Sequence, residues 1–191
     1  MSVFEHLMTL GSFILALGLA TVLMFVAALV HRRHEVKLSL PHLLWMSAIF
    51  INQINFWLGS YVFHHIAHAD YMTIGFVIVF PILLYLQSAL VVTEQAGTLD
   101  LRLHHARNKR AYIGLVIAAT LLDAAYFTRV AFMTADFNPA GFLLADLAFV
   151  STGAAAICSE NRVVQIGAPS VHLALRLIGF FLSSQPLLAG N

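Results

Sequence analysis

Long apolar runs, separated by short polar stretches, account for most of this 191-residue chain. Each run has about the 20 residues that an α-helix needs to cross the hydrocarbon core of a bilayer. We predict six transmembrane spans, at residues 10–30, 41–63, 71–93, 111–133, 140–159 and 163–187. Because these spans leave only short connections, the sequence predicts one all-α transmembrane domain over residues 1–191, folded as a helical bundle.

Composition agrees with that pattern and narrows the range of partners. Apolar residues make up 60% of the chain and charged residues 10%, which is typical of a polytopic membrane protein surrounded by a lipid bilayer. A net charge of +1 gives no reason to expect a nucleic-acid partner. The single cysteine, Cys158, excludes a disulfide within the chain.

Basic residues predict the orientation of the bundle. Eight of the ten lysines and arginines lie in or beside the connections that follow the first, third and fifth spans: Arg32, Arg33, Lys37, Arg102, Arg107, Lys109, Arg110 and Arg162. Cytoplasmic connections of membrane proteins are enriched in lysine and arginine. The sequence therefore predicts that these connections are cytoplasmic and that both termini lie on the non-cytoplasmic side.

Charged residues within the predicted spans form the first candidate site. A guanidinium near the bilayer centre costs at least ~2.5–3.5 kcal/mol, so Arg176 in the last span needs a partner. Asp123 and Asp146 lie at compatible depths, as does Arg129. We predict Arg176–Asp123 and Arg129–Asp146 pairs, with Arg176–Asp146 as the alternative. Such pairs would hold the helices together, or they would form a proton or ion path or an anion site at Arg176.

Amide side chains in the second span extend this polar set. Asn52 and Asn55 share one face of the predicted helix, three residues apart. They would either hydrogen-bond to neighbouring helices or line a small polar cavity with Gln87, Ser88, His172 and Arg176. The complete predicted intramembrane network is Asn52, Asn55, Gln87, Asp123, Arg129, Asp146, His172 and Arg176.

Ten histidines raise the question of a metal or cofactor. A di-iron centre is excluded because one span separates His34 from His64, which places these groups on opposite faces of the membrane. An exterior Zn²⁺ or Cu²⁺ site remains open as an alternative to a solvated turn, and its ligands would be His64, His65, His68 and Asp70. No two histidines lie within one span at a spacing suited to haem. The sequence therefore identifies no cofactor.

Two segments carry a resemblance to known proteins. They are Phe80-Pro-Ile-Leu-Leu-Tyr85-Leu-Gln, and Asp100-Leu-Arg102 followed by His104-His105-Ala-Arg107-Asn-Lys109-Arg110. With His42-Leu-Leu-Trp45, they resemble a group of uncharacterised six-helix bacterial inner-membrane proteins of about this length. The resemblance implies a compact helical fold in a bacterial inner membrane, and it implies no activity.

Three functions are compatible with these features. No enzymatic motif is present, which favours an accessory or scaffold subunit of a larger membrane complex over an enzyme. The small residues Gly153, Ala154, Ala155 and Ala156 would allow close contact with a partner subunit or with a second copy of the chain. The alternative is permeation of a small solute, ion or proton through a polar cavity among the second, fourth, fifth and sixth helices. A metal- or haem-binding membrane protein is the third possibility.

Overall fold

A computed structural model describes residues 3–60, 70–92, 99–133 and 140–188 of the chain. These residues form six α-helices: α1 Val3–His31, α2 Leu40–Gly59, α3 Tyr71–Val91, α4 Leu101–Met133, α5 Ala140–Cys158 and α6 Arg162–Leu188. Two short strands, β1 Val36–Lys37 and β2 Leu99–Asp100, pair in parallel at one end of the bundle. The all-α prediction is confirmed.

Five helices of the described part are long and apolar enough to cross a membrane: α1, α3, α4, α5 and α6. This finding supports an integral membrane protein. The remaining helix, α2, carries His42, Asn52, Gln53 and Asn55, which lower its apolar character. It lies in the interior of the bundle, in contact with α1, α3, α4 and α6, so the other helices cover its polar side chains.

Glycines allow two helix pairs to pack closely. A Cβ placed on Gly153 of α5 would lie 2.9 Å from Cγ1 of Ile117 in α4, and one on Gly18 of α1 would lie 2.5 Å from Oε1 of Gln53 in α2. Both distances are below 3.0 Å, which is closer than a real Cβ atom approaches another heavy atom, so a larger residue at either position would require its neighbour to move. Helices in lipid associate through such close packing, because the hydrophobic effect does not drive them together once both are in hydrocarbon.

The ends of α1, α3 and α5 lie beside the starts of α2, α4 and α6. Lys37 Nζ lies 3.4 Å from Asp100 Oδ2, and Lys109 Nζ lies 2.9 Å from Glu160 Oε1. We call this end, which carries eight of the ten lysines and arginines, the basic end. Hydrogen bonds from the Leu103 and Arg102 amides, together with Lys37, lower the pKa of Asp100.

Helix α4 begins ten residues before the predicted span that starts at residue 111. The carboxylate of Asp100 accepts hydrogen bonds from the backbone N–H groups of Arg102 at 3.0 Å and Leu103 at 3.1 Å, and so caps the helix. The added turns bury Leu101 and His105 in the bundle. Residues 101–110 are therefore helical, although their polar composition predicts a connection. They are helical because one face of this helix packs inside the bundle.

Candidate functional site

A cavity of about 650 Å³ lies between α2, α3, α4, α5 and α6, and we call it the Arg176 cavity. Four helices supply its polar lining, which consists of Asn52, Asn55, Asp123, Asp146 and Arg176. Much of the remaining wall is aromatic and consists of Phe56, Phe76, Phe80, Phe127, Phe142 and Phe149. Residues from distant parts of the chain thus surround one largely apolar space with a few charged groups.

Arg176 is held in place by groups other than acids. Its guanidinium carbon lies 3.7 Å from the centroid of the Phe149 ring, a distance typical of a cation–π contact. The side-chain amide of Asn55 donates to the backbone carbonyl of Arg176 at 3.0 Å, which ties α2 to α6 at this depth. The Nε atom of Arg176 is buried and has no hydrogen-bond partner among the described residues.

The two carboxylates share the cavity with Arg176 but do not form a direct ion pair with it. Asp123 and Asp146 interact electrostatically with the guanidinium. Among the described ion pairs, none within 4.0 Å joins Arg176 to either residue. The predicted contact pair of Arg176 with Asp123, or with Asp146, is therefore not formed. The guanidinium of Arg176 instead lies over the Phe149 ring, with its carbon 3.7 Å from the ring centroid.

Several polar atoms around the cavity have no protein partner. Asp146 is only 6% exposed, yet its Oδ2 atom accepts no hydrogen bond within the described part of the chain. Oδ1 of Asn55 is buried in the same way. Buried polar groups in proteins nearly always have a partner, and a lone charge at membrane depth is expensive. The cavity is therefore suited to a polar or charged group supplied from outside the protein.

Three predicted members of the network, Gln87, His172 and Arg129, lie outside the lining of this cavity. The side chain of Gln87 donates to the backbone carbonyl of Leu115 at 3.1 Å and so joins α3 to α4. His172 is buried behind Phe149, with ring centroids 4.8 Å apart. The Thr152 hydroxyl donates to the Phe149 carbonyl at 2.9 Å, so it accepts the hydrogen bond from Nδ1 of His172 at 3.0 Å.

Arg129 pairs with Asp70 and not with Asp146, so the predicted Arg129–Asp146 pair is wrong. Asp70 lies just before α3, at the end of the bundle where α4 finishes, and a long arginine side chain reaches that surface readily. Asp70 also caps α3 by accepting from the Thr73 N–H at 2.9 Å. The bonds from Arg129 and then from Thr73 hold the pKa of Asp70 well below its usual range.

The predicted metal ligands are only partly described. His64, His65 and His68 lie outside the described residues, and Asp70 is engaged by Arg129 and Thr73. Within the residues that the structure does describe, no group of three or more His, Cys, Asp and Glu side chains is arranged to hold a metal ion.

A second buried polar region lies near the basic end, and sequence reasoning missed it. We call it the histidine cluster, and its members are His42, His104, His105, Tyr112 and Gln165. The Gln165 Nε2 group donates to the Ala156 carbonyl at 2.6 Å, so its Oε1 accepts from Nε2–H of His105 at 2.9 Å. Neutral His105 then accepts the Tyr112 hydroxyl hydrogen bond at Nδ1.

His42 completes the cluster through ring packing. Its ring is fully buried, and its centroid lies 5.3 Å from that of His104 in an edge-on arrangement. The spacing of His105 and Tyr112, seven residues apart, is the signal that places both on one helix face. That signal is readable only once residues 101–110 are known to be helical.

No protein-family model, curated protein or solved structure matches the chain. The fold and the cavity are therefore the basis for assigning a function. They define a helical integral membrane protein with buried charges around an aromatic space.

Proposed function

We propose that this protein binds a small solute in the Arg176 cavity and carries it across a bilayer. The observation that carries the proposal is that three charged side chains face a cavity of about 650 Å³ without a direct ion pair between them. Pockets of roughly 300–1,000 Å³ with apolar walls and a few convergent polar groups are typical binding sites for small molecules.

The membrane arrangement is part of the proposal. It comprises six spans, including the covered helix α2, with both termini on the non-cytoplasmic side of a bacterial inner membrane. The clustering of lysine and arginine at the basic end supports this orientation, because positive residues are enriched on the cytoplasmic side. Gly59 at the end of α2 and Gly141 at the start of α5 line the cavity, so it would lie toward the opposite, outer half.

An accessory subunit is the competing function, and one packing feature bears on it. Gly153 and Ala156 are buried within the chain, whereas Ala154 and Ala155 are exposed. Part of the small-residue set that would bind a partner is thus used inside the bundle. The cavity, in contrast, offers unpaired groups that a solute would complete, so the geometry supports solute binding better.

Uptake into proteoliposomes tests the proposal. Radiolabelled inorganic ions, organic cations, organic anions and neutral solutes would be supplied to vesicles containing the full chain and to protein-free vesicles. We expect saturable, protein-dependent uptake of at least one class, and its loss in Asp123→Asn. Arg107→Ala, at an exposed position of the same helix, serves as the control and should leave uptake unchanged.

The absence of protein-dependent uptake for every class would contradict the proposal. In that case, a partner protein that co-purifies at a fixed stoichiometry from native membranes would favour the accessory-subunit function.

A further inference from the structure

The charged groups of the Arg176 cavity do not balance. Two carboxylates, Asp123 and Asp146, face one guanidinium, Arg176, which leaves a formal charge of −1. The other polar lining groups, Asn52 and Asn55 of α2, are neutral amides, and α3 contributes only phenylalanines. His172 lies behind Phe149. A surplus charge at membrane depth must be neutralised, so the cavity requires a proton or a cation.

An anion would worsen this imbalance, although an arginine is present. A monovalent anion would make the formal charge of the cavity more negative, from −1 to −2. In surroundings of low dielectric, the repulsion between the anion and the carboxylates would be strong. The Phe149 ring also covers one face of the guanidinium, at 3.7 Å. The arginine is therefore placed to balance one carboxylate, and the other carboxylate remains available.

The phenylalanines favour an organic cation over an inorganic one, because the wall of the cavity is mainly apolar. Phe56 and Phe80 stack at a centroid distance of 4.6 Å, and Phe127 and Phe142 stack at 5.1 Å. These rings offer no lone pairs to replace the water shell of an inorganic ion. Their faces do attract a cation that carries apolar groups, and their bulk provides apolar contact for those groups.

We infer that the Arg176 cavity binds a lipophilic monovalent organic cation, such as a quaternary ammonium or phosphonium compound, in competition with a proton. The carboxylate of Asp146, which lines the cavity, is the anionic contact, and the phenylalanine faces are the apolar contact. This inference rests on the proposed function and names the class of solute. Because a proton neutralises the same carboxylates, affinity for the cation should fall as pH falls.

Two ions of nearly equal shape and opposite charge provide the test. Radiolabelled tetraphenylphosphonium and tetraphenylborate would be added to the full chain in nanodiscs, with empty nanodiscs to subtract partition into lipid. We expect saturable binding of tetraphenylphosphonium only, weaker at pH 5 than at pH 8. Saturable binding of tetraphenylborate, or equal affinity for the cation at both pH values, would overturn the inference.

Variants test the charge count directly. Asp146→Asn brings the cavity to a formal charge of zero and should weaken tetraphenylphosphonium binding by about tenfold or more. Adding Arg176→Gln returns the charge to −1 through Asp123 and should restore most of the affinity. Ser151→Ala, on the exposed face of α5, is the matched control and should bind as the wild type does.

The failure of this inference is distinguishable from failure of the proposed function. If anions or neutral solutes enter proteoliposomes but tetraphenylphosphonium does not bind, the class of solute is wrong and transport stands. If no solute enters and none binds, both fail. If the variants do not fold, the charge and pH comparisons on the wild-type chain still decide the inference.

Discussion

The histidine cluster and the Arg176 cavity are both buried and polar, but they differ in how their polar atoms are satisfied. In the histidine cluster, His105 has partners at both ring nitrogens, and Gln165 bonds to His105 and to the backbone of α5. In the cavity, the described Oδ2 of Asp146 and Nε of Arg176 have no hydrogen-bond partner. A buried polar residue suggests binding only where the protein leaves it unsatisfied.

His42 is an exception to this contrast between the two regions. It belongs to the histidine cluster through its ring contacts, yet neither of its ring nitrogens has a hydrogen-bond partner among the described residues. Its neighbours His104, His105 and Tyr112 surround it edge-on, and it does not line the Arg176 cavity. The histidine cluster is therefore packed around the His42 ring, and none of its members lines the Arg176 cavity.

The largest effect on stability is expected from His105→Ala. The change leaves the Tyr112 hydroxyl and Oε1 of Gln165 without their partner in a buried site, which costs about 2–3 kcal/mol. The thermal midpoint in detergent should fall by about 4–12 °C. Arg107→Ala, at an exposed position two residues away, is the control. An unchanged midpoint would show that the cluster does not stabilise the bundle.

A smaller effect is expected from Lys109→Met, which keeps the buried stem of the side chain and removes its ammonium group. The ammonium donates to Glu160 Oε1 at 2.9 Å and to the Ser159 carbonyl at 3.1 Å, and so links α4 to the end of α5. We expect a loss of about 1–3 kcal/mol, because hydrogen bonds to charged groups are among the stronger ones. Thermal unfolding near pH 7 measures it.

The same variant should change the dependence of stability on pH. Hydrogen bonding to Lys109 lowers the pKa of Glu160 below its ordinary value. A lowered acid pKa stabilises the fold above the ordinary value, about 4.3 for glutamate, and this contribution is lost as pH falls through the lower folded-state pKa. The difference between wild type and Lys109→Met should therefore shrink below about pH 4. A difference that stays constant to pH 3 would rule out this pair as its source.

The smallest effect on stability is expected from Asp146→Asn. An amide has nearly the same shape as the carboxylate and costs less to bury, so the free energy of unfolding should stay within about 1 kcal/mol of the wild-type value or rise. The two variants would then have different effects: His105→Ala would lower stability, and Asp146→Asn would lower the affinity for the cation. A fall as large as that of His105→Ala would mean that Asp146 also holds the bundle together.

Local patterns in the sequence predicted the helices well and their partners poorly. Apolar runs identified the helices because an α-helix satisfies the hydrogen bonds of its own backbone, so length and apolar composition suffice to predict it. The partner of Arg129 was predicted from depth alone. Depth does not say which neighbouring helix turns its acid toward the arginine, and Asp70 was closer.

Position in the bundle also explains how α2 and the first turns of α4 accommodate their polar residues. Helix α2 carries the polar residues of a poor membrane span, yet it contacts four neighbouring helices and its His42, Asn52 and Gln53 side chains are buried. Residues 101–110 have the composition of a loop, yet they form the first turns of α4 because His105 and Leu101 pack inward. In both cases burial by other helices outweighs local composition.

The sequence by itself determined the helical class and the presence of charged residues within long apolar helices, because each depends on a continuous stretch of chain. Only the tertiary structure decided that Asp123, Asp146 and Arg176 face one aromatic cavity without pairing. It also decided that Gln87 and His172 lie outside the lining of that cavity. Rotation and spacing of packed helices set these distances, and they arise from contacts among segments far apart in the chain.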